Sequence, residues 1–304
     1  MTQDFPDDPD AERDQAFDFD QIAPDRFQSR PLPSGLLRLY GGMIVAQALA
    51  AMRLTAPDDK HAHALHLFYQ RPGLTDRPLL FSVERDADGH SFAQRRVAVT
   101  QDGKPIAYAM ASFQIEERGA VYQQTMPGVP DPSRLEPLTA IFDRQITALP
   151  ARHHPFWRRK QMFDWRPVEQ FQIGDAGVYP AKRHFWFRAN GAIDAPLHIH
   201  QRLLCYACDT HIMQNALRPL GIAWADDHLQ SSSLDFAIWF HAPLRVDEWL
   251  LYALDSPASS GARVLGTGSV FRQDGVLAAT VVQQGLARML DDDVVNEEKP
   301  LAAY

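Results

Sequence analysis

The stretch Leu67–Val83, LFYQRPGLTDRPLLFSV, has an approximate copy later in the chain. It aligns without a gap on Ile238–Leu254, IWFHAPLRVDEWLLYAL, at an offset of 171 residues. The alignment places Pro72 on Pro243, and it matches leucines and an aspartate at other positions. Self-similarity at a fixed distance indicates that one structural unit occurs twice.

Both copies continue into the tripeptide Gln-Asp-Gly, at residues 101–103 and 273–275. Runs of β-type residues flank each tripeptide, and Asp-Gly between two such runs is typical of a hairpin turn. An apolar or small-residue helix precedes the strands in each copy, at Gly42–Met52 and at His200–Leu217. Each copy is therefore predicted to be an α+β unit in which an antiparallel sheet wraps around a central helix.

The order of these segments predicts five parts along the chain, with both helices inside one composite core. Six prolines between positions 126 and 155 interrupt regular structure and mark a linker. The parts are an acidic N-terminal tail (1–15), a first unit (16–117), a proline-rich linker (118–160), a second unit (161–290) that carries the functional site, and a C-terminal tail (291–304).

Composition excludes several classes of function. Thirty basic residues against 38 acidic ones leave a net charge of −8, the opposite of the positive field that nucleic-acid binding needs. Arg95–Arg96 and Arg158–Lys160 are local basic clusters that either meet a phosphate or are solvated turns. The acidic start does not resemble a secretory signal, and no apolar run approaches the roughly 20 residues of a membrane span. We expect a cytoplasmic protein with no integral membrane segment.

Two further patterns are predicted to be structural. Cys205 and Cys208 have CxxC spacing, but they lie inside the apolar second helix and are expected to pack as small hydrophobic side chains. His61, His63 and His66 alternate as zinc ligands can, but no Cys, Asp or Glu nearby completes a site. Neither a metal nor a cofactor is expected.

Asp209 is the exceptional residue of the second helix. Its helical neighbours three and four residues away are apolar, which places a carboxylate on an apolar face. Burial of a carboxylate is costly and raises its pKa, so the residue has either a hydrogen-bonded structural role or a chemical one. The sequence around Asp209 leaves both roles open.

Ser233 and Gln283 are polar residues on predicted strands of the second copy. Strict alternation along Ser231–His241 places Ser233 and Asp235 on the same face, and Gln283 follows an apolar face. At the repeat offsets, Ser233 and Gln283 both fall on alanines of the first copy. Because structural roles would be equally useful in both copies, polar residues confined to one copy predict a single functional site.

Five stretches, taken in order, make a long match to a known family. They are GGMIVAQAL, HALHLFYQRPG, DGHSFAQRRVAVTQDGKPIAYAMASFQ, HIHQRLLCYACDTHIM and SLDFAIWFHAPLRVDEWLLYALDSPASSGARVLGTGSVFRQDGVLAATVVQQGLAR. Together they resemble the acyl-CoA thioesterase II family from about Leu36 to Arg288. The resemblance implies a double hotdog fold, a role in fatty acid and lipid metabolism, acyl-CoA as the substrate partner, and a homo-oligomer, either a dimer or a tetramer.

The resemblance also implies the site residues. The family's Asp, Ser or Thr, and Gln match Asp209, Ser233 and Gln283. Cys208 and Phe236 depart from the family pattern. These two departures affect the expected substrate preference more than the expected reaction. The implied reaction is hydrolysis of fatty acyl-CoA to free fatty acid and coenzyme A by a water that Asp209 activates. A covalent anhydride at Asp209 is the alternative route.

Finer features of the site are left as expectations. Gly41-Gly42 is one candidate for backbone stabilisation of the oxyanion, and the aromatic stretches 185–187 and 236–240 are candidate walls of an acyl tunnel. A hotdog hydratase is disfavoured, because Gly174-Asp175 lacks the following His that such enzymes carry. The alternative from another class is a non-catalytic protein that binds acyl-CoA or regulates through it.

Overall fold

The computed structural model describes residues 17–31, 38–148 and 161–291. The described strands form one sheet, and every strand pair in it is antiparallel. In chain order the elements are β1 (Phe19–Ala23), β2 (Arg26–Ser29), α1 (Gly41–Arg53), β3 (His61–Tyr69), β4 (Leu80–Asp88), β5 (Phe92–Gln101), β6 (Lys104–Gln114), α2 (Leu138–Gln145), β7 (Phe163–Pro167), β8 (Arg183–Ala189), α3 (Leu197–Cys208), α4 (Ile212–Leu217), β9 (Leu229–Ser233), β10 (Asp235–Phe240), β11 (Leu250–Ser260), β12 (Arg263–Arg272) and β13 (Leu277–Met289).

The strand order shows the duplication. It runs β1-β2-β4-β5-β6-β3-β10-β13-β12-β11-β8-β7, so the second half repeats the first in mirror order, and β9 adds to β13. The halves join where β3 pairs with β10, with Leu67 opposite Phe236. Helices α1 and α3 pack against each other, and one apolar core holds both. The predicted double hotdog is confirmed.

Helix α1 is buried on all sides from Gly42 to Met52. A helix that is apolar all round belongs in the middle of a core, and its alanines and glycines let the surrounding sheet and α3 approach closely. The helix begins at Gly41 without a side-chain cap, so its first N–H groups have no acceptor within the helix. One of them reaches the site described below.

The two Asp-Gly hairpins differ. The first has a two-residue loop in which Asp102 and Gly103 have φ values of 50° and 72°, the geometry expected of a type I′ turn. The second spans four residues, 273–276, between β12 and β13, and only Gly275 among them has a positive φ. Both connections are hairpins, as the sequence predicts.

The second helix is not continuous, and the prediction of one helix over His200–Leu217 is wrong. Helix α3 ends at Cys208, Asp209 is its C-cap, and His211 adopts a left-handed conformation with a φ of 69° before α4 begins. The buried His211 ring stacks on Phe185, with 4.2 Å between centroids and 4° between planes. Packing thus supports a backbone conformation that would ordinarily favour glycine.

The polypeptide between the two units is more regular than its prolines predict. It contains helix α2 and a 3₁₀ turn at Pro132–Arg134, while residues 149–160 lie outside the described ranges. Part of it crosses the outer face of the second half-sheet, where Trp186 Nε1 donates to the Pro130 carbonyl at 2.9 Å. This path brings α2 against β7 at the edge of the sheet.

The predicted tails lie almost wholly outside the described residues, and the predicted domain boundaries stay predictions. Within the described ranges, each helix is too short or too polar to cross a membrane.

Candidate active site

The three predicted site residues meet in one hydrogen-bonded group. Gln283 Nε2, on β13, donates to Asp209 Oδ1 at 2.5 Å and to Ser233 Oγ at 2.8 Å. The two hydrogens of a single amide therefore connect the end of α3 with the end of β9. Gln283 is fully buried, and its Oε1 has no hydrogen-bond partner among the described residues.

A β-bulge at Leu234 brings Ser233 to this group. Ser233 lies opposite Gly285 on β13, whereas Ala237 lies opposite Val282, so Leu234 is one extra residue between the two registers. The extra residue moves Ser233 to the inner face, the face of Gln283. The prediction that Ser233 and Asp235 share a face is therefore wrong, because strict alternation fails at a bulge.

The first unit contributes a backbone donor. Gly42 N, in the first turn of α1, donates to Asp209 Oδ2 at 2.8 Å. A Cβ on Gly42 would lie 2.6 Å from the Tyr206 carbonyl oxygen and 2.9 Å from Asp209 Cβ, so only glycine allows the two helices this close. The positive end of α1 thus faces the carboxylate. The sequence predicts that Gly41-Gly42 donates to the oxyanion, but the Gly42 N–H donates its hydrogen bond to Asp209 instead.

Two tyrosines of the first unit complete the surroundings, and sequence reasoning missed both. Tyr69 OH donates to the Gly41 carbonyl at 3.0 Å, and Tyr40 OH donates to the Tyr206 carbonyl at 3.0 Å while contacting Thr210 Oγ1 at 2.8 Å. The signal for Tyr69 was its position in the repeated segment. The search for polar residues confined to the second copy could not find it.

Burial makes Asp209 a stronger base than an exposed aspartate. It raises the pKa of Asp209 to about 6, while the hydrogen bonds from Gln283 and Gly42 pull that pKa down. The pKa values of Tyr40 and Tyr69 rise well above the usual range, first because of burial and then because of the Asp209 charge. At neutral pH, a carboxylate therefore lies between two neutral phenols.

Asp209 and Ser233 line a cleft of about 1200 Å³, counting the part open to solvent. Its walls are largely apolar and come from α2, β7 with the residue before it, α4 and the loop before β9. The apolar residues are Leu138, Phe142, Met162, Phe163, Trp165, Met213 and Trp224. The predicted aromatic walls are wrong: Phe185, Phe187 and Phe236 are at most 1% exposed and belong to the core. The cleft walls come instead from residues that the chain brings together over long distances.

Arg95 is a structural residue. It is fully buried and donates to the carbonyls of Thr55, Ala87 and Gln94 and to Asp88, so it cannot reach a phosphate. The cluster at 158–160 lies outside the described residues.

Cys205 and Cys208 are buried in α3, as predicted. In the part of the chain that the structure describes, no group of three or more His, Cys, Asp or Glu side chains is placed to hold a metal ion.

Family models and known proteins match this chain. A family model described as acyl-CoA thioesterase matches residues 156–286, and one described as acyl-CoA thioesterase N-terminal domain matches residues 29–114. The chain is 31% identical over 262 residues to acyl-CoA thioesterase 2 of Haemophilus influenzae, covering 86% of this chain and 92% of that protein. It is 34% identical over 273 residues to human acyl-coenzyme A thioesterase 8, covering 87% and 85%.

A solved structure shows the same architecture. The crystal structure of the acyl-CoA thioesterase II TesB2 from Mycobacterium marinum matches with a TM-score of 0.74 and 31% identity, over 91% of this chain and 98% of that one. The fold and these relatives define a double hotdog enzyme that hydrolyses acyl-CoA thioesters. The chain belongs to the acyl-CoA thioesterase II family.

Proposed function

We propose that the protein hydrolyses fatty acyl-CoA to free fatty acid and coenzyme A by means of a water that Asp209 activates and that Ser233 and Gln283 position. The main support for this proposal is that the Gln283 amide donates hydrogen bonds to both Asp209 and Ser233, which line an apolar cleft.

Asp209 has the properties of a general base. With a pKa near 6, it is ionised at neutral pH and still accepts a proton better than an exposed aspartate does. The Gly42 N–H and the Gln283 amide hold its two oxygens in place. A fixed carboxylate of this kind takes a proton from water as the water attacks the thioester carbon.

Ser233 and Gln283 supply orientation. Ser233 Oγ accepts a hydrogen bond from Gln283, and its own hydroxyl hydrogen is directed towards the Asp209 carboxylate, whose pKa this contact lowers. Positioning of the attacking water next to the carbonyl contributes to the rate through orientation. The Gly41 N–H, at the start of α1, is the backbone donor that we assign to the developing oxyanion.

A direct route through water fits the site better than the covalent one. In the described structure both Asp209 oxygens accept hydrogen bonds from donors on rigid elements, α1 and β13. A carboxylate held in this way is less free to approach the carbonyl carbon itself. The anhydride route would require Asp209 to exchange these bonds for the bond to the acyl group.

The test is release of free thiol from a panel of saturated acyl-CoA esters, from short to long. We expect wild-type turnover, and a loss of about 100-fold or more in Asp209→Asn with smaller losses in Ser233→Ala and Gln283→Ala. Gln284→Ala is the matched control, because Gln284 is the next residue of β13 and points away from Asp209. Full activity of Gln283→Ala, or an equal loss in Gln284→Ala, would contradict the assigned roles.

The same proposal includes a role in fatty acid metabolism, a cytoplasmic location and a homo-oligomer. Cell fractionation tests the location. Sedimentation of the purified chain tests the oligomer, and a monomer at micromolar concentration would contradict it.

A further inference from the structure

A second cavity adjoins the catalytic cleft. It measures about 1180 Å³, counting the part open to solvent, and it shares Phe142, Gln214 and Trp224 with the cleft. Its lining includes two arginines, Arg183 at the start of β8 and Arg218 just after α4. Neither arginine has a role in the catalytic group described above.

Arg183 is a buried cation that lines the cavity. The residue is only 9% exposed. Its guanidinium lies 4.5 Å from the ring centre of Phe171 and 5.2 Å from that of Phe185. Its Nη2 donates to the Gln170 carbonyl at 3.3 Å, and its buried Nε has no hydrogen-bond partner among the described residues. Burial lowers the pKa of Arg183 to about 10.

Arg218 is the second cation of the cavity. Its guanidinium lies 5.1 Å from the ring centre of Tyr179, and within the described ranges its buried Nε also has no hydrogen-bond partner. Burial lowers the pKa of Arg218. In the described structure, neither Arg218 nor Arg183 forms an ion pair with a carboxylate, although both line one cavity.

The acidic residues of the cavity are committed to other donors. Glu169 accepts from His184 Nδ1 at 2.6 Å and from the His184 N–H at 2.8 Å. Asp175 accepts from Tyr179 OH at 2.6 Å and from the Gly177 N–H at 2.8 Å. Both carboxylates attract the two guanidinium groups, but in the described structure neither carboxylate forms a hydrogen bond or a close ion pair with them. The two guanidinium groups also repel each other, and burial of charges without a paired partner is costly.

We infer that this cavity binds an anionic group of the substrate through Arg183 and Arg218. A guanidinium presents a planar fork of donors that matches a carboxylate or a phosphate, and such charge-assisted bonds are among the stronger ones. The inference rests on the proposed function, because it assigns part of the acyl-CoA to the cavity that adjoins the cleft.

Two parts of an acyl-CoA substrate carry such a group. The coenzyme A moiety carries phosphates, and an acyl chain that ends in a carboxylate carries one at the end far from the thioester. Both present negatively charged oxygens to a guanidinium, so the chemistry of recognition is shared. The substrates below separate the two sources.

The experiment compares Arg218→Gln with wild type on three esters of equal chain length: a saturated acyl-CoA, the same acyl group on pantetheine, which has no phosphates, and an ω-carboxyacyl-CoA. If the cavity binds the phosphates, we expect KM to rise about tenfold or more for both CoA esters and not for the pantetheine ester. If it binds the distal carboxylate, the rise is confined to the ω-carboxyacyl ester. KM values within twofold of wild type for all three esters, or an equal rise for all three, would overturn the inference.

Arg188→Gln is the matched control, because Arg188 is exposed and stacks on Trp249, 4.5 Å from the ring centre, outside the cavity. If Arg218→Gln does not fold, Arg218→Lys takes its place. It keeps the charge but loses the fork, and it is expected to raise KM several-fold for the same esters. An unchanged KM in a folded Arg218→Lys would then overturn the inference.

Failure of the proposed function is recognised separately. If wild type hydrolyses no ester, calorimetric titration with free coenzyme A and with a free dicarboxylic acid still tests the cavity. Binding of one of them to wild type, weakened about tenfold in the Arg218 variant, supports it. Absence of binding to wild type, or equal binding to both proteins, overturns it.

Discussion

Asp209→Asn is expected to make the protein more stable at neutral pH. Folding raises the pKa of this carboxyl group from 3.8 to about 6, so the folded chain holds the proton more tightly than the unfolded chain does. Above pH 6 the ionised group therefore lowers the free energy of unfolding. At about 1.36 kcal/mol per pKa unit, the penalty is at most about 3 kcal/mol, and it fades as the pH falls from 6 towards 3.8.

An asparagine removes this penalty and can keep the hydrogen bonds. Its Oδ1 accepts from Gly42 N–H, and its amide donates to Gln283 if the Gln283 amide turns over, which is favoured because Gln283 Oε1 lacks a partner in the described structure. Substitutions of destabilising groups at functional sites often gain stability at the expense of activity.

The assay is urea unfolding of wild type and Asp209→Asn at pH 7.5 and pH 4.5. We expect a gain of up to about 3 kcal/mol at pH 7.5 that shrinks to about 1 kcal/mol at pH 4.5, where most of the folded wild type is already protonated. Asp247→Asn is the control of opposite sign. Burial raises the pKa of Asp247, but interactions that include hydrogen bonds from Ile193 N–H and Arg245 outweigh burial and lower the pKa below its usual value. A loss of stability in Asp209→Asn, or a gain independent of pH, would refute the reasoning.

Three further substitutions have definite expected outcomes. Gly42→Ala places a methyl group 2.6 Å from a backbone carbonyl oxygen. We therefore expect the free energy of unfolding to fall by roughly 1–3 kcal/mol and kcat to fall at least tenfold. Gly119→Ala, whose methyl group meets nothing within 4 Å, should change neither quantity. Gln283→Ala removes a donor to the Asp209 carboxylate, so the midpoint of the pH–rate profile should move above 6, and a midpoint that moves down would contradict this. Arg95→Met should lower the free energy of unfolding by on the order of 3 kcal/mol without raising KM, since its carbonyl partners lose their donors; a raised KM with unchanged stability would instead make Arg95 a substrate contact.

Most of the fold could be predicted from the repeated segments of the sequence. The useful signals are local patterns: an apolar helix before long strands, and Asp-Gly between β-type runs. Each pattern occurs in both copies, so each copy supports the prediction for the other. The structure confirms the paired half-sheets and the helices in one core. Local patterns also placed Asp209 and Gln283 on elements that meet at the site.

The departures arise from contacts between distant parts of the chain. The break at His211 depends on stacking against Phe185, and nothing in the helical pattern of the sequence announces it. The bulge at Leu234 depends on how two strands pair with the same partner, β13. Gly42 and Tyr69 reach Asp209 only because the two units share a core. Periodicity along the chain cannot report such contacts.

The central claim is that the Asp209 carboxylate is the base of the reaction. Its most direct test is the dependence of kcat/KM on pH between 4.5 and 8.5, measured by thiol release for wild type and Asp209→Asn. For wild type we predict a rise of tenfold per pH unit that levels off through a midpoint near pH 6. For the variant we predict rates at least about 100-fold lower, with no inflection there. An Asp209→Asn enzyme that keeps the midpoint near 6, or that works within tenfold of wild type, would contradict the claim.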